Sequence, residues 1–220
     1  MDISKSEVLR YLGYKNQVLD EKVSTQIDIG IEELMLIIKE RFTYKVYDIK
    51  MKDEKIELSN SNLIFKGTNI KNHLKECSKC AVMAVTLGVE VDRKIMGYSK
   101  IDLMKSLILD ACATTAIETI CDKVENEIRD VAKAQGFNIT ARYSPGYGDF
   151  HLDIQEAILN NLDAYRKIGL STTENFILLP RKSVTAVIGF HQEEGIQKNI
   201  KCKECKNEKC NFRKEECYFE

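Results

Sequence analysis

The chain has no tryptophan, only two prolines and three histidines, and a net charge of −1 over 220 residues. Each scarcity excludes something. Near-neutrality leaves no broad basic surface for nucleic acid. Apolar runs are short. None approaches the ~20 residues needed to cross a bilayer, so no membrane partner is expected. The opening residues, Met1 to Glu7, have no apolar stretch and no cleavage signal, which predicts a cytoplasmic chain. In a reducing compartment its eight cysteines read as thiols or metal ligands rather than disulfides. His73, His151 and His191 are far apart and form no HxxxH or HExxH pair, so a histidine metalloenzyme is unsupported. The absence of P-loop, GxGxxG and GxSxG patterns argues against the usual NTPase, Rossmann and α/β-hydrolase readings.

What is present describes a globular chain, 44% hydrophobic and 30% charged. The patterning predicts helices over 6–14, 31–42, 101–135 and 152–167, with a short helix near His73. It predicts strands over 44–49, 55–58, 62–65, 81–88, 137–143 and 183–190. In the longest helix, Met104, Leu107, Ile108 and Ala111 read as one apolar face. Ile117, Ile120, Val124, Ile128 and Val131 read as another. The crossover, Ala111 to Ala116, is all small residues, which implies a helix covered on both sides or broken there. Asp110 and Glu118 then project towards apolar stripes. Each either reaches water at a stripe edge or meets a cationic partner. The fold class expected is α+β: a twisted, mainly antiparallel sheet with long helices packed on it. Residues 1–191 form the domain, and 192–220 form a cysteine-rich tail.

The central stretch is Arg142-Tyr143-Ser144-Pro145-Gly146-Tyr147-Gly148. It ends an alternating segment, with Phe137, Ile139, Ala141 and Tyr143 on one face, and precedes an amphipathic helix. Pro145 lacks an N–H and pushes Ser144 towards extended backbone, and Gly146 permits a turn closed to other residues. Such a turn either grips a small polar ligand through main-chain groups or is a plain sheet-to-helix corner. The tail spacing, Cys202-x2-Cys205-x4-Cys210-x6-Cys217, fits four thiolates around a structural zinc or an iron–sulfur cluster, the alternative being free thiols. Cys77-x2-Cys80 reads as packing in preference to a redox pair, and Cys112 and Cys121 read as core. Asp149-x-His151 matches the start of a DxHxxG corrinoid-ligand motif, but Ile154 holds the glycine position.

Arg142 to Tyr147, the following helix, and then Leu178-Leu179-Pro180-Arg181-Lys182-Ser183-Val184-Thr185-Ala186-Val187 together resemble the activation (reactivation) domain of cobalamin-dependent methionine synthase. That family has an RxxPGY turn and a later proline before a small-residue strand. The resemblance covers roughly residues 75–190 and looks like a free-standing short form. It implies S-adenosylmethionine held by Arg142, Tyr143, Ser144, Pro145, Gly146 and Tyr147, with Glu118 at the cationic methionyl end. It also implies an accessory role: reductive methylation of cob(II)alamin carried by a separate corrinoid protein, or by a methionine synthase lacking its own activation domain, with an electron donor. A cluster in the tail would be one such donor. Where the family's helix carries an arginine one turn before the glutamate, this chain has Thr115. Two other readings are a non-catalytic subunit of a corrinoid methyltransferase and a small iron–sulfur redox protein.

Overall fold

A computed structural model describes residues 1–15, 17–53 and 55–192. In chain order its elements are α1 (Lys5–Tyr11), α2 (Glu21–Ile37), β1 (Arg41–Met51), β2 (Lys55–Leu58), β3 (Ile64–Lys66), α3 (Thr68–His73), β4 (Lys79–Thr86), α4 (Val89–Tyr98) and α5 (Leu103–Ala134). There follow β5 (Asn138–Ile139), α6 (Ile154–Leu162), α7 (Ala164–Ile168), β6 (Ser171–Thr172), β7 (Leu178–Leu179) and β8 (Ser183–His191). The tail cysteines Cys202, Cys205, Cys210 and Cys217 lie outside the described residues, as does nearly all of the 192–220 segment.

Six strands form one antiparallel sheet in the order β3-β2-β1-β4-β8-β5. β4 is central and is covered on both faces. Ala81, Met83 and Val85 join the core under α1, α2, α4 and α5, while Cys80, Val82 and Ala84 join a second core under α3, α6 and α7. That is why Ala81 to Leu87 reads as a continuous apolar run: an alternating pattern needs one wet face. The expected α+β fold, with long helices on a twisted antiparallel sheet, is what the structure has.

Several boundaries differ from expectation. α2 begins at Glu21, ten residues before the predicted start, and is capped by Asp20, whose side chain accepts the Lys22 N–H. Its first two turns set only Val23 and Ile27 against the core among polar residues, so hydropathy marks them weakly. Leu36 is exposed, so α2 is amphipathic rather than mostly buried. Phe42, placed in that helix by its pattern, belongs to β1. α4 gives no clear periodic signal and was not expected. The predicted 152–167 helix breaks at Asp163, a left-handed residue, and Tyr165 is exposed rather than buried.

α5 is one unbroken helix of 32 residues, capped by Asp102 accepting the Lys105 N–H. Its buried side runs continuously through Leu109, Cys112, Ala116, Ile120, Val124 and Ile128. The two-stripe reading is wrong because Met104 and Leu107 are exposed. The small-residue middle is nevertheless covered on nearly all sides. A methyl group on Gly30 of α2 would lie 2.9 Å from Ile108 Cγ2 and 3.6 Å from Cys112 Sγ, so small residues on both helices permit this crossing.

All four described cysteines are buried free thiols. Burial pushes the thiols of Cys77, Cys112 and Cys121 up to about 12, and that of Cys80 strongly upward as well. A thiol is the attacking species only as thiolate. Iodoacetamide at pH 8 is therefore expected to leave these four unlabelled in the native chain and to label them after urea unfolding, as read by peptide mass mapping. Rapid native labelling of Cys77 or Cys80 would restore the redox-pair reading.

Candidate functional site

The site is built by a slip in strand register. β5 pairs with β8 at Ile139↔Phe190, and the next bridge is Tyr143↔Val187. Three residues, 140 to 142, therefore face two, 188 and 189, which makes a one-residue bulge. Thr140 still donates its N–H to Gly189 O at 2.9 Å, and Tyr143 exchanges both backbone hydrogen bonds with Val187 at 2.9 Å. The surplus falls on Ala141 and Arg142. The bulge turns the strand over, and the expected single face is split. Phe137 and Ile139 pack towards α5, but the Tyr143 ring lies on the opposite face against His73, Tyr147 and Phe150.

The turn follows directly. Gly146 adopts φ +96° and gives its N–H to Phe150 O at 2.7 Å; Tyr147 N–H reaches Ser144 O at 3.2 Å. A Cβ on Gly146 would also press on Leu152 Cδ2 at 3.2 Å. Tyr143 Oη donates to Tyr147 O at 3.3 Å. Asp149 ties the turn to α3 by accepting the N–H groups of Thr68 and Asn69 at 2.6 and 2.9 Å, hydrogen bonds that hold its carboxyl below the ordinary range. Asp149 thus has a local anchoring job. The N–H and C=O of Arg142, the N–H of Ser144 and the C=O of Pro145 have no hydrogen-bond partner among the described residues.

These groups border a cavity of about 600 Å³ between the bulge, α5, the start of β8 and Gln155 of α6. Glu118, Arg142, Ser144, Pro145 and Tyr147 line it. Tyr143 and Gly146 do not; they shape the turn from behind. Arg142 spans to α5, with Nη1 2.7 Å from Asp122 and 3.1 Å from Glu125, and Nη2 3.2 Å from Glu118. Glu118, Asp122 and Glu125 share one helical face, at i, i+4 and i+7. Burial works against the Arg142 charge, but the Asp122 hydrogen bond and the surrounding negative charge outweigh it and raise its pKa. Glu125 is shared with Arg129 at 2.8 Å, so three carboxylates face two guanidiniums and one negative charge is left over. Asp110, the other carboxylate singled out from the sequence, pairs with Lys182 at 2.9 Å at the far end.

Sequence reading missed Asp122, Glu125 and Gln155. The first two repeat at helical spacing from Glu118 and were legible once one face was chosen. Gln155, whose Oε1 accepts the Thr185 hydroxyl, has no such signal. Thr115 is buried and returns its hydroxyl to Ala111 O at 3.1 Å, so it offers nothing to the cavity. No group of three or more His, Cys, Asp or Glu among the described residues is arranged to hold a metal. Nor is any of their helices long and apolar enough to cross a membrane.

No protein-family model matches the sequence, and no curated protein matches it. The chain is similar to the crystal structure of the MetH reactivation domain bound to AdoHcy. The TM-score is 0.62 at 13% sequence identity, and the match covers 79% of this chain but 66% of that one. At that identity the likeness establishes the fold.

The ion-pair geometry has a direct consequence. Arg142→Ala removes three charge-assisted contacts from a largely covered side chain and is expected to cost about 1–3 kcal/mol in urea unfolding. Asp122→Ala, at a mostly exposed carboxylate, is expected to stay within about 0.5 kcal/mol. Equal losses in the two variants would mean that Arg142 is not the hub.

Proposed function

We propose that this chain binds S-adenosylmethionine in the cavity between the bulge and α5, and supports reductive methylation of a corrinoid carried by a separate protein. The observation that carries the reading is one juxtaposition. Unpartnered backbone donors and acceptors line the same space as a helix face with surplus negative charge, in a fold whose solved neighbour holds AdoHcy. A volume of about 600 Å³ falls within the ~300–1,000 Å³ range of small-molecule sites. When bound, the ligand supplies a methyl group on a cationic sulfonium.

The chain's own residues divide the work. Bulge and turn offer main-chain hydrogen bonds to the polar atoms of the nucleoside. Glu118 makes the longest of the Arg142 contacts, so it is the carboxylate Arg142 holds least closely, and its half-exposed side chain can meet a ligand cation. Arg142 can exchange part of its carboxylate contacts for the ligand's own carboxylate, a bidentate match. Tyr147, largely exposed at the rim, supplies an aromatic wall. The corrinoid and the electron come from partners, with the tail thiols Cys202, Cys205, Cys210 and Cys217 as a candidate zinc or iron–sulfur site. A second reading, a non-catalytic subunit of a corrinoid methyltransferase, draws support from Thr115, which stands where the resembling family has an arginine and faces the core.

Isothermal calorimetry separates the two. Saturable binding of S-adenosylmethionine is expected, and Glu118→Gln should weaken it about tenfold while affecting S-adenosylhomocysteine less, because that compound keeps the ammonium but lacks the sulfonium charge. No heat at millimolar ligand would favour the non-catalytic subunit.

A further inference from the structure

Behind the bulge, on the face away from α5, stands His73 at the end of α3. Its Nε2 lies 3.0 Å from Ala141 O and 2.9 Å from Thr140 Oγ1. A carbonyl has no proton to give, so in the Ala141 contact Nε2 carries the hydrogen and donates it. Thr140 Oγ1 accepts the Gly189 N–H at 2.9 Å, which ties the same atoms to β8, and its hydroxyl donates to Ala141 O at 3.1 Å, so that carbonyl is held by His73 and Thr140 together. The imidazole packs on Tyr143 with ring centroids 4.9 Å apart. His73 therefore grips the peptide that joins Ala141 to Arg142, at the surplus residue of the bulge.

The direction of that grip matters. A trans peptide is planar, and its C=O and N–H point opposite ways. With the Ala141 carbonyl drawn to His73, the Arg142 N–H of the same peptide points back towards α5, where the cavity lies and where it has no partner among the described residues. A bulge leaves its extra residue outside the ladder, so β8 does not fix this plane. We infer that His73 is a positioning residue: it sets the Ala141–Arg142 peptide so that the Arg142 N–H is held out to an acceptor atom of the ligand. The ligand half of this inference rests on the binding proposed above; the grip itself does not.

His73 is also placed so that its loss is tolerable. A second cavity of about 110 Å³, lined by Asn72, Cys77 and His191 among others, already adjoins the ring. A shorter side chain enlarges existing space rather than opening a packed core. Glutamine keeps a donor on a terminal nitrogen, and alanine does not.

The test compares the natural chain with His73→Ala and His73→Gln by two readouts. The first is amide hydrogen exchange at Tyr143 and Gly189 without ligand, and the second is calorimetric affinity for S-adenosylmethionine. His73→Ala should speed exchange at both amides and weaken binding about tenfold, the value of one well-aimed hydrogen bond. His73→Gln should recover most of both, although its melting temperature need not recover in proportion. Unchanged exchange in His73→Ala overturns the grip whether or not the chain binds the ligand. Faster exchange with unchanged affinity overturns the positioning role alone. A natural chain that binds no S-adenosylmethionine overturns the binding proposal and the ligand half of this one, while the exchange data still judge the grip.

Discussion

One surplus residue just after β5 governs the rest of the site. Without the bulge, Tyr143 would stay on the face of Ile139, and the ladder of β8 would satisfy the backbone around Arg142. With it, Arg142 turns towards α5 and the Tyr143 ring goes to the other core. The N–H and C=O of Arg142 are left without partners among the described residues. A strand that stops being regular where it passes a charged helix face is a small-molecule site in outline, because main-chain hydrogen bonding and a field of fixed sign meet in one place.

The surroundings hold that irregularity in place. Asp149 pins the far end of the turn to α3, and Tyr143 exchanges two hydrogen bonds with Val187. On the cavity side, Arg142 is shared among three carboxylates. α5 is the rigid backing. It is 32 residues long, it is buried through its middle, and it is approached closely by α2 at Gly30. A long helix fixed along most of its length can hold Glu118, Asp122 and Glu125 in register without support at its ends.

Much of this was legible in the sequence, for identifiable reasons. Ala81 to Leu87 shows as an apolar run because β4 is buried on both faces. Pro145 and Gly146 mark the turn because few other residues permit it. Glu118 stands out because a carboxylate near an apolar stripe needs a partner. What stayed hidden depends on contacts distant in sequence. The bulge is a relation between residues 139–143 and 187–190, and neither segment shows it alone. Asp163 breaks a helix that its neighbours' hydropathy would continue. Met104 and Leu107 look like core residues but are exposed, since no described residue covers that side of the first turns of α5. The 13% identity to the solved neighbour fits this pattern: the fold rests on sheet order and helix cover, which many sequences satisfy.

The most direct measurement is a crystal structure of this chain grown with saturating S-adenosylmethionine. The account predicts the nucleoside against Arg142, Ser144 and Pro145, the methionyl end near Glu118, and the Arg142 N–H within hydrogen-bonding distance of the ligand. An empty cavity at saturating ligand, or a molecule bound elsewhere while Arg142 keeps all three carboxylates, would contradict it.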